Sequence, residues 1–170
     1  MFGDRFRNLL PWLWPVDVRW TVTAIATVAV SGGWATDIGP WYFELRQPAW
    51  KPPDWAFGPV WSLLYVTTGV ACVRGWRVME QRRHRRLFLT AAIFHAVLNV
   101  LWSVLFFALR RPDWALVEAV ALWLSAVWLW WILRRADRFA AWLILPLVAW
   151  LSVAFALNVS TVLLNPAFTT

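Results

Sequence analysis

The stretch that decides the fold is WYFELRQPAWKPPDWAFGPVWSLLY, residues 41–65. It holds four of the 17 tryptophans and four of the 10 prolines of the chain. Pro48, Pro52 and Pro53 cannot sit inside a helix, because proline lacks an N–H and clashes with the preceding turn. We therefore predict a loop that lasts until Asp54, and after it a helix with Pro59 in its first turn, where proline is tolerated.

Large aromatic rings are unusual in a loop, because loops that face water are normally polar. Two arrangements explain them: the rings lie at a membrane interface, or they fold back as a lid over an apolar cavity. On the helix that follows, Trp61 and Tyr65 are four residues apart and share one face. Several such rings converging inside a bundle would suit a flat, conjugated ligand, although packing explains most tryptophans of a membrane helix.

The composition on either side of this stretch is that of a membrane protein. The 170 residues are 61% hydrophobic and 15% charged, with a mean hydropathy of +0.56. Apolar segments occupy about 18–38, 55–76, 87–109, 114–133 and 139–164. Each is long enough to cross about 30 Å of hydrocarbon. We predict an all-α integral membrane protein, a five-transmembrane-helix bundle with a Trp/Pro-rich lid loop between helices 1 and 2.

The predicted membrane domain spans residues 18–165 and leaves a short segment at each end. Residues 1–17 place Phe2, Phe6 and Leu9 at roughly helical spacing, with Trp12 and Trp14 after them. This pattern predicts an amphipathic extension that lies in the membrane surface. A floppy tail and a contact for a partner protein are the alternatives. Residues 166–170 form a predicted C-terminal tail.

The positive charge is distributed unevenly between the two predicted membrane faces. Twelve Lys and Arg residues fall on the side of the N-terminus and four on the other side. Basic residues concentrate in cytoplasmic loops, so we predict a cytoplasmic N-terminus and an outward-facing C-terminus in a bacterial cytoplasmic membrane. The net charge of +7 then reports topology rather than a nucleic-acid partner, and anionic lipid headgroups are a compatible partner.

Several classes of function lack support in the sequence. The single cysteine, Cys72, excludes an internal disulfide and a cysteine-based metal cluster. His84 and His95 have no carboxylate pair beside them, so we predict no metal site. The chain has no Ser-His-Asp set, no phosphate-binding glycine loop and no paired carboxylates, which leaves hydrolysis and phosphoryl transfer unsupported.

Polar side chains also occur within the predicted membrane helices. His95, Asn99 and Trp102 share a face of the third helix, where a polar group is costly unless it meets a partner or a cavity. His95 suits a hydrogen bond within the bundle better than axial ligation of haem iron. Glu118, near the start of the fourth helix, is interpreted as snorkelling, protonated, or paired with Arg110 or Arg111. A functional carboxylate inside the membrane is the alternative.

The fifth helix carries a second stripe, at steps of four residues. Trp150 faces Trp61 across the bundle in this interpretation, Ala154 leaves space, and Asn158 supplies an amide. Pro146 predicts a kink near the start of that helix.

Fixed spacings of these residues are similar to those of a known family. The opening stretch matches a loop pattern at Trp41, Tyr42, Leu45, Pro48, Trp50, Pro52, Pro53, Trp55, Phe57, Gly58, Pro59, Val60, Trp61, Leu64 and Tyr65. Later patterns match at Leu98, Asn99, Trp102, Phe106, Phe107, Trp114 to Glu118, Pro146, Ala149, Trp150, Leu157 and Asn158. Over roughly residues 20–165 the chain resembles the TspO/MBR family, the tryptophan-rich sensory proteins and translocator proteins (peripheral benzodiazepine receptors).

The resemblance implies a five-helix bundle, usually a homodimer, whose first loop covers a pocket for porphyrin or haem-type tetrapyrroles. No other cofactor is required. Some members bind cholesterol or benzodiazepine-type ligands, and some bacterial members degrade protoporphyrin IX in light and oxygen, an activity that maps onto Trp61 and Trp150. The ligand-binding positions that the resemblance and the loop imply are Trp41, Trp50, Pro52, Pro53, Trp61, Tyr65, His95, Asn99, Trp102, Phe106, Ala154 and Asn158.

Four departures from the family pattern concern the pocket. Gln47 replaces a lysine at its mouth, His95 replaces a glutamine, and Leu145 and Leu147 stand where an aromatic ring is usual beside the proline. The sterol motif of eukaryotic members, a tyrosine followed by a basic residue, is missing after Asn158. Three hypotheses remain: a tetrapyrrole-binding sensor, regulator or carrier; a photo-oxidative porphyrin-degrading enzyme; and an accessory subunit of a larger membrane complex.

Overall fold

A computed structural model describes residues 15–168, which are almost entirely helical and contain no β-strand in that range. The α-helices of this range are α1 (Val16–Ala35), α2 (Pro40–Glu44), α3 (Asp54–Val78), α4 (Arg82–Ser103), α5 (Pro112–Ala136) and α6 (Arg138–Leu164). A π-helical turn, Val104–Ala108, extends α4, and a 3₁₀ helix follows at Pro166–Phe168. The predicted N-terminal extension lies outside the described residues, except for its last three.

Four of these helices are long and apolar enough to cross a membrane: α3, α4 with its π-helical turn, α5 and α6. The fifth long helix, α1, has 20 residues, or about 30 Å of length. It is less apolar because it carries Asp17, Arg19 and three threonines. The prediction of an all-helical membrane bundle is confirmed. That α1 makes a fifth crossing stays a prediction.

The predicted helix boundaries lie within about five residues of those observed, with one clear correction. An uninterrupted loop before Asp54 is wrong, because Pro40–Glu44 forms the short helix α2. Pro40 occupies its first turn, where the missing N–H costs nothing. The first of the three prolines that forbid a helix is Pro48, so residues 40–44 can form a helical turn before it. Pro146 lies inside α6, which runs on past it without a break.

Ion pairs show which helix ends lie together. Arg77 Nε lies 2.6 Å from Asp17 Oδ2, and Arg74 Nη2 lies 2.8 Å from Asp137 Oδ2. The start of α1, the end of α3 and the α5–α6 corner therefore share one end of the bundle. We call it the arginine-rich end, since residues 82–86 and 134–138 also belong to it. At the opposite end, the Arg46 N–H donates to Asn165 Oδ1 at 3.0 Å and joins the loop to the end of α6.

The tightest packing lies between α5 and α6. Leu129, Leu133 and Ile144 are at most 1% exposed and belong to one apolar cluster with residues of α3 and α4. Helix α1 lies outside this core, and Gly32 is its one buried residue. Because α1 packs loosely, space remains between it and its neighbours α3 and α4.

Candidate ligand-binding cavity

A cavity of about 870 Å³ lies between α1, α3 and α4. Leu129 of α5 and Leu147 of α6 close it on the side of the core. Its volume falls within the range of about 300–1,000 Å³ that is usual for small-molecule sites. The walls are mainly apolar and aromatic, so the cavity suits a ligand with a large apolar surface.

The α3 wall is a single stripe of side chains. Trp61, Tyr65, Thr68, Cys72 and Trp76 follow one another at steps of three or four residues, so they share one face of the helix. The two tryptophans stand near opposite ends of the stripe, 15 residues and therefore about 22 Å apart along the axis. The stripe makes the cavity long, and it reaches the arginine-rich end of the bundle.

The walls from α4 and α1 have the same spacing. On α4 the stripe consists of Phe88, Ala92, His95 and Asn99. On α1 the stripe consists of Asp17, Thr21, Ala24 and Val28, with Trp20 and Ile25 beside it. Each of the three helices therefore lines the cavity with one face, along which the residues recur at steps of three or four.

Trp61 and Tyr65 form an aromatic pair in the α3 wall of the cavity. Their ring centroids are 5.5 Å apart and the planes are tilted by 33°. The Tyr65 hydroxyl lies 3.4 Å from Asn99 Oδ1, at the long limit of a hydrogen bond. The prediction that these two rings share one face is confirmed, and Asn99 of the neighbouring α4 wall brings a polar amide next to Tyr65.

His95 is held by a hydrogen bond within the bundle. Its Nδ1 lies 2.8 Å from Ser125 Oγ, and that hydroxyl donates its one hydrogen to the Leu122 carbonyl at 2.6 Å. Nδ1 must then carry the proton and donate to Oγ, which leaves Nε2 of the neutral ring as an acceptor. The preferred interpretation of His95 is confirmed, and a hydrogen-bond acceptor stands in the cavity wall.

Other predicted ligand-binding residues lie in a separate group at the loop end of the bundle. Trp102 stacks on Phe106 at a centroid distance of 5.1 Å, and Trp41 meets Phe106 edge-on at 6.2 Å. Tyr42 and Leu45 are buried against the same rings. These rings hold the loop down on α4 and the start of α5, and none of them lines the 870 Å³ cavity.

A polar latch also holds the loop. The Tyr42 hydroxyl donates to Asp54 Oδ1 at 2.8 Å, and Lys51 Nζ donates to the Tyr42 oxygen at 2.9 Å. Burial acts to lower the pKa of Lys51, but its hydrogen bonds to Asp54 and Tyr42 outweigh burial and raise it. Burial, first of all, raises the pKa of Tyr42. Both groups thus keep their protons, and the latch stays intact, at neutral pH.

The remaining loop residues of the prediction are less enclosed. Trp50 is 52% exposed, Pro53 is exposed and Pro52 is half-buried. Their side chains do not line the cavity between α1, α3 and α4. The position of these three residues is compatible both with contact to a membrane interface and with a lid.

The α6 stripe lies outside the cavity wall. Trp150 packs edge-on against Phe57, with ring centroids 5.6 Å apart, and its buried Nε1 has no hydrogen-bond partner within residues 15–168. Ala154 is half-buried. Asn158 is 1% exposed, and its amide is best oriented to donate to the Pro112 carbonyl at 3.1 Å and to accept from Leu116 N at 3.0 Å. Asn158 therefore serves the junction of α5 and α6.

Glu118 is buried at 9% exposure, and neither carboxyl oxygen has a partner within the described residues. The expected partner Arg111 pairs instead with Asp113. The guanidinium of Arg110 lies over the Trp41 ring at 5.8 Å. Pairing of Glu118 with either arginine is wrong, because Arg111 pairs with Asp113 and Arg110 lies over Trp41 of α2.

The profile of the TspO/MBR family matches residues 20–164, which include every wall of the cavity except the first residues of α1. This chain belongs to the TspO/MBR family. The tryptophan-rich protein TspO of Chlorobaculum tepidum is 35% identical over 74% of this chain and 80% of its own length. Protein CrtK of Rhodobacter capsulatus is 32% identical over 86% and 94%, and the human translocator protein is 31% identical over 69% and 70%.

Membership of the TspO/MBR family supports a sensory or translocator role in a membrane. The structure adds cavity residues that the motif spacing did not bring forward, above all Trp20, Cys72 and Trp76. A signal for two of them was present, since Cys72 and Trp76 continue the three-and-four spacing that begins at Trp61 and Tyr65. Trp20 had no such signal, because its place depends on how α1 packs.

Proposed function

We propose that this TspO/MBR protein binds porphyrin or haem-type tetrapyrroles in the cavity between α1, α3 and α4, and that it senses, regulates or transports them. One observation carries the proposal: Trp61, Tyr65, His95 and Asn99, four of the predicted ligand-binding residues, line a single cavity of about 870 Å³. A flat conjugated ring system would stack on the aromatic pair. Its polar edge would meet the amide of Asn99 and the acceptor of His95.

The proposal includes the full five-helix arrangement. Helix α1 forms one wall and would complete the bundle as a fifth crossing, with about 30 Å of helix. The loop that follows α1, residues 36–53, would act as the lid over the loop end of the bundle. The Tyr42–Lys51–Asp54 latch and the rings around Phe106 support that role, since they fix the loop to α3, α4 and α5. A homodimer is part of the same proposal, by resemblance to the family.

Light- and oxygen-dependent breakdown of protoporphyrin IX is the second candidate function. Trp61 lies in the cavity wall in contact with Tyr65, where an excited porphyrin or singlet oxygen would reach an oxidisable indole. Trp150 packs against the same apolar cluster as Trp61, formed by Leu64, Leu98 and others. Its unpartnered Nε1 is a donor available to a ligand group that enters between α3 and α6.

The test is a titration with protoporphyrin IX in the dark, followed by illumination in air. Detergent-purified wild type is compared with the double variant Trp61→Phe, Trp150→Phe. A matched control, Trp55→Phe with Trp142→Phe, removes one indole from each of the same two helices. Trp55 and Trp142 are 76% and 69% exposed and do not line the cavity. Binding is read from porphyrin fluorescence and breakdown from loss of the Soret band.

The outcomes separate the candidates. Saturable porphyrin binding by wild type and by the control variant supports the tetrapyrrole proposal. If each protein molecule also degrades several porphyrins, and only the Trp61, Trp150 variant loses this activity, the enzyme is supported. Equal bleaching in all three proteins leaves a sensor or carrier. Absence of saturable binding in wild type overturns the proposal and favours an accessory subunit. That reading has its own test, co-purification of partners before and after deletion of residues 1–16.

A further inference from the structure

A second concave site, which shares no lining residue with the ligand cavity, lies at the corner where α5 ends and α6 begins. Its volume is about 460 Å³. Three arginines surround it, Arg134 and Arg135 from the last turn of α5 and Arg138 from the first turn of α6. Trp130 and Trp142 form its sides, and Ala141 and Leu145 complete the wall. We call it the corner site.

Within residues 15–168 the charges of the corner site have no acidic partner. Within residues 15–168, none of the ion pairs involves Arg134, Arg135 or Arg138. The acid between them, Asp137, is occupied: its carboxylate accepts from the N–H groups of Phe139 and Ala140 at 2.8 and 3.2 Å, and it pairs with Arg74. Among the residues that the structure describes, nothing therefore compensates the three positive charges of the corner site.

The arginines are arranged by the tryptophans around them. The Arg134 guanidinium lies 5.0 Å from the centre of the Trp130 ring, and that of Arg135 lies 3.6 Å from the centre of Trp131. Stacking on an indole holds the planar group in place while its N–H edge stays free to bind an anion. Trp142 is 69% exposed beside them, as expected of a ring at the membrane interface.

We propose that the corner site binds one anionic phospholipid of the surrounding bilayer, with its phosphate between the three arginines and its acyl chains along Trp142 and Leu145. Arginine binds phosphate oxygens through paired N–H donors, which makes it suited to this headgroup. A charged rim above an apolar wall fits a molecule that is anionic at one end and hydrocarbon at the other. Arginines next to a membrane surface attract its anionic lipids.

The test is native mass spectrometry of the delipidated full-length chain, titrated with dioleoylphosphatidylglycerol. Dioleoylphosphatidylcholine, with the same chains and no net charge, is the lipid control. The test variant carries Arg134→Gln, Arg135→Gln and Arg138→Gln. The matched control carries Arg82→Gln, Arg83→Gln and Arg86→Gln, which removes equal charge from the same end of the bundle. These three arginines are exposed and do not line the corner site.

We expect phosphatidylglycerol to bind wild type at least about tenfold more tightly than phosphatidylcholine, and the test variant to lose that preference. The matched control should stay within about threefold of wild type. If the glutamine variant fails to fold, Arg134→Lys, Arg135→Lys, Arg138→Lys replaces it; lysine keeps the charge but lacks paired N–H donors, so the preference for phosphatidylglycerol should weaken. The proposal would be overturned if both glutamine variants lost the preference for phosphatidylglycerol equally, or if only the control variant lost it. Competition by inorganic phosphate at millimolar concentration would also overturn it, because the site would then hold the anion without its chains.

Discussion

Asn158 shows how one buried side chain serves a different role from the one that its sequence position implies. It is 1% exposed, and its amide meets the Pro112 carbonyl and the Leu116 N–H in the first turn of α5. Those contacts use both the donor and the acceptor of the amide. Asn158 thus joins two helices whose packing supports the cavity, and contact with the ligand is not needed to explain it.

We predict that Asn158→Ala destabilises the protein and changes porphyrin affinity little. The two lost hydrogen bonds correspond to about 1–3 kcal/mol. Thermal unfolding in detergent measures the stability, and dark titration with protoporphyrin IX measures the affinity. Ser160→Ala is the control on the same helix, since that hydroxyl bonds the Ala156 carbonyl within α6. A variant of normal stability that binds porphyrin tenfold more weakly would return Asn158 to the ligand site.

Asp137 gives a prediction that depends on pH. Burial acts to raise its pKa, but the N–H groups of Ala140 and Phe139 and the Arg74 guanidinium outweigh burial, so the pKa lies below the ordinary 3.8. A carboxyl with a lowered pKa stabilises the folded state when it is ionised. That contribution is fully present above pH 3.8 and is lost as the pH falls through the lowered folded pKa.

We predict that Asp137→Asn lowers the free energy of unfolding by a constant amount between pH 5 and 8, of about 0.2–1 kcal/mol, because asparagine still caps α6 and only the charge and its pair with Arg74 are lost. The difference from wild type should shrink as the pH falls below 3.8. Urea or thermal unfolding in detergent at several pH values measures it. Asp37→Asn serves as control, because its carboxyl lies outside the ion pairs of the described residues. A difference that grows on acidification would contradict the assigned direction.

At the scale of elements, composition and residue spacing predict where the helices are, but they predict the contacts between helices less well. The prolines at 48, 52 and 53 placed the start of α3 correctly, and the spacing of Trp61 and Tyr65 placed both rings on one face. Spacing within a helix says which side chains share a face. It does not say how closely a neighbouring helix approaches, and that distance determines where a cavity forms.

Glycines on α3 mark where neighbouring helices come close. A Cβ added at Gly75 would lie 2.2 Å from Cδ2 of Leu133, and one at Gly69 would lie 2.6 Å from Cδ1 of Ile25. Leu133 is fully buried in the α5–α6 core and has nowhere to move. Ile25 is half-buried and borders the cavity, so it can shift into free space.

We predict that Gly75→Ala destabilises the bundle by about 1–3 kcal/mol, the usual cost of overpacking a core. Gly69→Ala should be neutral or slightly stabilising, because alanine favours a helix by up to about 1 kcal/mol over glycine. Thermal unfolding of both variants in the same detergent measures the difference. Equal effects of the two variants would show that α1 packs against α3 as firmly as α5 does.

At the scale of the whole molecule, the sequence predicted the bundle and its charged end better than its cavity. The arginines of α3, α4, α5 and α6 meet at one end, as the alternation of loops requires. The resemblance implied a pocket under the loop, whereas the large cavity lies beside α1 and reaches the arginine-rich end. Its position depends on the loose packing of α1, and no residue pattern within a single helix encodes that looseness.

The unequal charge also predicts how the molecule is inserted, with the arginine-rich end in the cytoplasm and the loop of residues 36–53 outside. Single cysteines in a Cys72→Ala background test this at three exposed positions: Pro15→Cys before α1, Ala49→Cys in the loop and Glu80→Cys between α3 and α4. In intact cells a membrane-impermeant maleimide should label Ala49→Cys and spare the other two, and lysis should expose all three. Labelling of both Pro15→Cys and Ala49→Cys would mean that α1 lies along the surface without crossing. Labelling of Glu80→Cys in place of Ala49→Cys would invert the whole bundle, because α3 fixes these two positions on opposite faces.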